Sequence, residues 1–126
     1  MPESSCIVFD LPPFDTGRYE DSEFLMSGGN ALLTIRVEGM PPIAISFVRV
    51  RWHEFTALYN CSPEQVASAY FKVAEITQSP SLARYIANDR ASSKAYQELH
   101  HYRIFLDETG CHELYAERCV GAQAVA

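Results

Sequence analysis

The chain has 126 residues, 48% of them apolar, and sets ten Lys and Arg against sixteen Asp and Glu for a net charge of -6. That length fits one compact domain burying roughly two thirds of its unfolded surface. The acidity repels polyphosphate, so nucleic-acid binding is not expected. Apolar runs such as Ile43 to Val48 fall far short of the ~20 residues that span a bilayer, and no basic region followed by an apolar core opens the chain, so a cytoplasmic protein without a membrane partner is expected.

Residues 1–30 read as an irregular arm. Cys6-Ile7-Val8-Phe9 would make a short edge strand stopped by Pro12-Pro13, and Gly28-Gly29-Asn30 marks a turn. Asp10, Asp15, Glu20, Asp21 and Glu23 fall in this arm. A solvated acidic face is the plain reading, and a docking surface for a basic protein is the functional one.

From Ala31 to Glu38 the residues alternate, with Leu33, Ile35 and Val37 on one side of a half-buried strand. Gly39-Met40-Pro41-Pro42 turns the chain. The next run begins with Ile43, Ile45 and Phe47 inward, but its apolar positions then become Val48, Val50 and Trp52. Either a bulge near Phe47-Val48 or a strand covered on both faces accounts for the flip. Trp52, Glu54 and Tyr59 would anchor a partner if Trp52 sits at a sheet edge, because Trp and Tyr dominate binding hot spots. Burial of Trp52 in the core is the plain alternative.

Two helix starts follow. Ser62-Pro63-Glu64-Gln65 offers a Ser cap, a Pro at the first helical position and a Gln three residues after the cap. Val66, Ala69, Tyr70 and Val73 then recur along one helical face. Ser79-Pro80 repeats the signal, with Leu82, Tyr85 and Ile86 as a second stripe. Asn88 to Lys94 is weakly patterned and would break this helix. Tyr102, Ile104 and Leu106 share one face of a strand, and Asp107-Glu108-Thr109-Gly110 is a hairpin turn whose Gly can take positive φ. Leu114 and Ala116 then oppose Glu113, Tyr115 and Glu117, and residues 120–126 read as a tail.

These elements predict a single α+β domain, with an antiparallel sheet built from two hairpins and two helices packed on one face. No phosphate-cradling glycine motif and no G-x-S-x-G occurs. Cys6, Cys61, Cys111 and Cys119 show no C-x-x-C pair, so reduced thiols are expected and zinc is not; a Cys111–Cys119 disulfide would demand a secreted setting. His100 and His101 would point to opposite faces, so at most one could join His112 across the hairpin. Cys111 and His112 are adjacent and diverge, the wrong geometry for a nucleophile and its base. Glu113 and Glu117 lie roughly 13 Å apart along a strand at ~3.3 Å per residue, too far to flank one bond, and read as charges on a solvated sheet edge. No catalytic residue, metal ligand or cofactor is therefore expected.

The ending H-Y-R-I-F-L-D-E-T-G-C-H-E-L-Y-A-E at residues 101–117, with L-L-T-I-R-V-E-G at 32–39 and helices between, resembles small bacterial α+β proteins, including immunity proteins of polymorphic toxin systems. The resemblance implies a non-enzymatic protein that binds a toxin through an acidic surface. A small-ligand-binding domain or enzyme, with a pocket between sheet and helices lined by Trp52, Tyr70, Tyr102 and His112, is the alternative. A homodimer through paired hairpin edges is the third expectation.

Overall fold

The computed structural model describes residues 4–88 and 99–123. Among them run seven strands: β1 (Ser4–Asp10), β2 (Tyr19–Ser27), β3 (Asn30–Val37), β4 (Ile43–Ala57), β5 (Lys72–Thr77), β6 (His100–Leu106) and β7 (Gly110–Gln123). They form one antiparallel sheet in the order β1-β5-β6-β7-β4-β3-β2. Two short helices, α1 (Pro63–Ala69) and α2 (Pro80–Ala87), flank β5 in sequence, which makes this an α+β protein.

The long β4–β7 ladder is the spine, pairing Ile43 with Gln123 at one end and Ala57 with Gly110 at the other. The alternation read in β3 is realised: Leu33 and Ile35 are fully buried, with Ile43, Ile45, Phe47, Val73, Ile104, Leu106 and Leu114 on the same face. The sheet rolls around this inner face. Phe9 of β1 lies so close to Gly121 of β7 that a Cβ there would sit 2.2 Å from its ring. From the other edge, Tyr19 of β2 reaches Thr109 with a 2.5 Å hydroxyl contact and meets Phe71 edge-on. The outer face carries a smaller apolar cluster of Ala69, Ala74, Phe105 and Cys111, beneath α1.

Several expectations change. The arm at residues 1–30 is no irregular segment, since β1 and β2 are the two edge strands of the sheet. The short edge strand read at Cys6–Phe9 lies within β1, while β2, mostly exposed, offers no apolar alternation. Residues 120–123, expected in a tail, continue β7 against Ile43–Ser46, while 124–126 lie outside the described residues. Val73 belongs to a strand and not to the helical stripe with Val66, Ala69 and Tyr70. Phe71 takes φ 52 and ends α1, and the 3.6-residue period of the first three positions carried on by coincidence into β5. The phase flip in β4 falls later than Phe47-Val48: Arg49 takes φ 56 and the register shifts between Val50 and Trp52. The expected break over Asn88 to Lys94 lies, from residue 89 on, outside the described residues.

Both predicted caps form. Ser62 Oγ accepts from Gln65 N–H while the Gln65 side chain accepts from Ser62 N–H, and Ser79 Oγ accepts from Leu82 N–H. The Asp107–Gly110 turn closes as read, with Gly110 at φ 144. A Cβ there would meet the Thr56 carbonyl oxygen at 2.2 Å. Gly110→Ala should therefore lower stability by about 2 kcal/mol or more, read as a shift of the urea midpoint with unchanged m-value; an unshifted midpoint would contradict this packing.

Candidate functional site

The densest chemistry lies between the outer face and the helices. Glu113, placed on β7 beside β6, is 9% exposed and is surrounded by donors. His101 Nε2 contacts its Oε1 at 2.5 Å, Arg103 NH2 lies 3.2 Å from the same oxygen, and Gln65 Nε2 donates to Oε2 at 2.8 Å. Burial by itself would raise the Glu113 pKa, but the His101 hydrogen bond, the Arg103 charge and the Gln65 hydrogen bond outweigh it and bring it down to about 2. Arg103 NH1 also donates to Ser68 of α1 at 3.0 Å. The expectation of a solvated edge charge at Glu113 is corrected: the carboxylate is buried in the middle of the sheet because β7 is flanked by β4 and β6.

On its other side His101 Nδ1 lies 2.7 Å from Ser79 Oγ. Because that oxygen already accepts the Leu82 N–H, its proton is free to go to Nδ1, which leaves His101 Nε2–H to donate to Glu113. Tyr115 donates to Ser81 at 2.8 Å, and Ser81 lies 3.2 Å from Ser79. Ser79, His101 and Glu113 thus have the hydroxyl–imidazole–carboxylate order of an acyl-transfer relay. Here the order serves cohesion. The serine oxygen caps a helix, Arg103 neutralises the carboxylate, and the three residues are 8%, 4% and 9% exposed. Sequence reasoning missed the set because its members stand at positions 79, 101 and 113 and meet only through the β5–α2 connection; the Ser79 cap was the one visible signal.

A second group lies on the inner face. His53 Nε2 and His112 Nδ1 are 3.0 Å apart, Phe24 of β2 stacks on His53 at 4.0 Å, and Phe55 tilts against His112. Burial, and then the neighbouring His53, push the His112 pKa down to about 4; burial lowers that of His53 as well. His112 therefore meets an imidazole from β4, and His101 points to the opposite face. His100 pairs with Glu75 at 2.6 Å. Two imidazoles make no metal cage, and among the described residues no group of three ligating side chains gathers. The cysteines are free thiols; burial raises Cys111 above the usual range and Cys119 to about 12, so neither is a ready nucleophile.

The remaining candidates scatter. Asp15 caps a 3-10 turn at Thr16–Arg18 by accepting from Gly17 N–H at 2.9 Å. Asp21 and Glu23 share Arg36 of β3 at 3.0 and 3.4 Å, while Glu20 is exposed. Trp52 is half-buried and stacks on Tyr115 at 4.3 Å, and Tyr102 is buried against Phe47. Tyr70 hydrogen-bonds Asp107 at 3.2 Å. Trp52, Tyr70, Tyr102 and His112 do not converge on one pocket, since Tyr102 belongs to the inner cluster and Trp52 stacks beside α2. Phe55, which tilts against His112, is still 44% exposed, and Tyr59 is 95% exposed. Tyr59 lies on a 3-10 turn, Leu58–Asn60, fastened to the β6–β7 turn by Leu58 N–H to Thr109 O at 3.2 Å. Glu54 of β4 and Glu108 of the β6–β7 turn are exposed. No family model, curated protein or solved structure matches the chain.

Acid should unfold the protein in two separable stages. His112 has its folded pKa below the unfolded value of 6.5, so its contribution is fully present above about pH 6.5 and is lost as pH falls toward about 4. The loss is about 3 kcal/mol, and His112→Phe should flatten that limb of a stability-against-pH curve. Glu113 contributes fully above about pH 4.5 and loses its stabilisation as pH falls toward about 2. Glu113→Gln should cost about 3–5 kcal/mol at neutral pH, by removing the charge that Arg103 NH2 and His101 Nε2 meet, and should remove the lower limb only. Identical pH curves for wild type and both variants would refute the assignment.

Proposed function

We propose that this chain is a small acidic binding protein that works by recognising another protein in the cytoplasm, most specifically in the manner of the immunity proteins it resembles. The observation that carries this is Tyr59, 95% exposed on the Leu58–Asn60 turn, with Phe55, 44% exposed, near the end of β4 before it. A large aromatic side chain facing water on a braced turn is the kind of anchor that protein interfaces use. The exposed carboxylates Glu54 of β4 and Glu108 of the β6–β7 turn, with the net charge of -6, favour a basic partner. The buried polar groups are bonded to one another, so the chemistry of the interior holds the helices to the sheet.

Affinity capture from the source cell with the wild-type chain and with a Phe55→Ser, Tyr59→Ser double variant tests this. One protein should be recovered in stoichiometric amount, and the double variant should bind it roughly tenfold or more weakly. Equal capture by both chains would overturn the assignment of the patch. A chain that retains a small molecule in native mass spectrometry and no protein would overturn the reading altogether.

A further inference from the structure

Two of the four free thiols meet in one small cluster on the outer face. Cys111 of β7 is fully buried there among Ala69, Ala74 and Phe105, and Cys61, half-buried, packs against the same cluster from the end of the Leu58–Asn60 turn. The Cys61 Sγ lies 3.5 Å from the carbonyl oxygens of Thr56 and Ala57. Thr56 is the residue that faces Cys111 across the β4–β7 ladder, so the Cys61 sulfur sits over the rung that carries the second thiol. Cys6 is exposed on β1 and Cys119 packs against the inner core, and neither shares this place.

We propose that Cys61 and Cys111 form a redox latch, which a low-molecular-weight disulfide such as glutathione disulfide closes into a bond tying the Leu58–Asn60 turn to β7. Cys61 is the point of entry. Its thiolate attacks one sulfur of the reagent, one small thiol leaves and takes up the proton, and a mixed disulfide remains on Cys61. Cys111 then attacks the Cys61 sulfur and expels the second small thiol with its proton. Two protein thiols lose two electrons and two protons, and the S–S bond of the reagent gains them. Burial raises the Cys61 thiol and a hydrogen bond from the Cys111 backbone partly offsets it, whereas burial holds Cys111 well above the usual range. The second step is therefore the slow one. In a reducing compartment such a bond is transient and acts as a sensor. What it fixes is the turn, now held by Cys61 N–H to Leu58 O and Leu58 N–H to Thr109 O, both at 3.2 Å. A covalent tie at Cys61 survives the local opening that breaks such bonds. Tyr59 lies in this turn, so the latch orders that side chain before a partner arrives; this regulation rests on the reading of Tyr59 as the anchor, and the latch itself does not.

Oxidation of the pure chain by glutathione disulfide, followed by acid quench, alkylation and peptide mass mapping, tests it. The Cys61 and Cys111 peptides should be recovered linked to each other. Cys111→Ala should stop at the mixed disulfide on Cys61, and Cys61→Ser should leave Cys111 a thiol. A wild-type Cys61 that stays a thiol or halts at the mixed disulfide, or a Cys111 oxidised equally in Cys61→Ser, would overturn the proposal. In the linked chain, hydrogen exchange at the Leu58 and Cys61 amides should slow roughly tenfold or more, and dithiothreitol should restore it. Unchanged exchange in a linked chain would overturn the latch as a device that orders the turn. None of these readouts uses a partner, so their failure is distinct from a failure to capture one.

Discussion

The carboxylate of Glu113 is the point from which the helical side of the protein is organised. Its Oε2 accepts from Gln65, the residue that completes the cap of α1 by accepting from Ser62 N–H. Its Oε1 meets His101, whose other nitrogen holds Ser79, the cap of α2. Arg103 joins the same carboxylate to Ser68 near the end of α1. One buried charge therefore positions the N-termini of both helices, which have seven and eight residues and would not be stable alone. An apolar residue at position 113 would fill the volume but leave Gln65, His101 and Arg103 without their common acceptor. Ionic pairs under a sheet are weak stabilisers and strong determinants of geometry, and geometry is what two such short helices lack.

The inner face is held by other means. Among the described residues no helix covers it; the edge strands curl over it, bringing Phe9 against Gly121 and Tyr19 against Phe71 and Thr109. The two faces thus divide the work, with apolar burial inside the roll and hydrogen-bonded charge under the helices. Little of the buried polar chemistry is left facing outward. Tyr59 stands out from this framework, 95% exposed on the Leu58–Asn60 turn.

Sequence legibility followed local signals. Both helix caps, the alternation of Leu33, Ile35 and Val37, and the Asp107–Gly110 turn were readable because each rests on residues a few positions apart. The edge strand at Cys6–Phe9 was readable too, within β1, whereas β2 was not, since it displays Glu20, Asp21 and Glu23 to water and hides no regular face. β5 escaped because Val73 extended the helical period of Val66, Ala69 and Tyr70, and only the left-handed backbone at Phe71 separates the two elements. The buried network was out of reach for a different reason. Glu113 looks like an edge charge until β7 is known to run between β4 and β6, and that neighbourhood is set by strands distant in sequence.

The adjacent pair His112-Glu113 also fixes how β7 pairs. His112 faces the inner aromatic stack with His53, Phe24 and Phe55, and Glu113 faces Arg103, His101 and Gln65 beneath the helices. A one-residue slip of β7 would exchange these faces. Glu113 would then enter the apolar roll beside Phe24 without a cation, and His112 would lie under Arg103 with no carboxylate between them. The first change places an uncompensated carboxylate in the interior, at a cost of several kcal/mol. The apolar alternation of Leu114 and Ala116 with Glu113 and Tyr115 favours the same register through burial, but weakly, because Tyr115 and Cys111 are themselves buried on the outer face. The charge and the imidazole discriminate far more sharply than the apolar residues do. The same two side chains that invite a catalytic reading from the sequence are thus the ones that hold the longest ladder of the sheet in its single productive alignment.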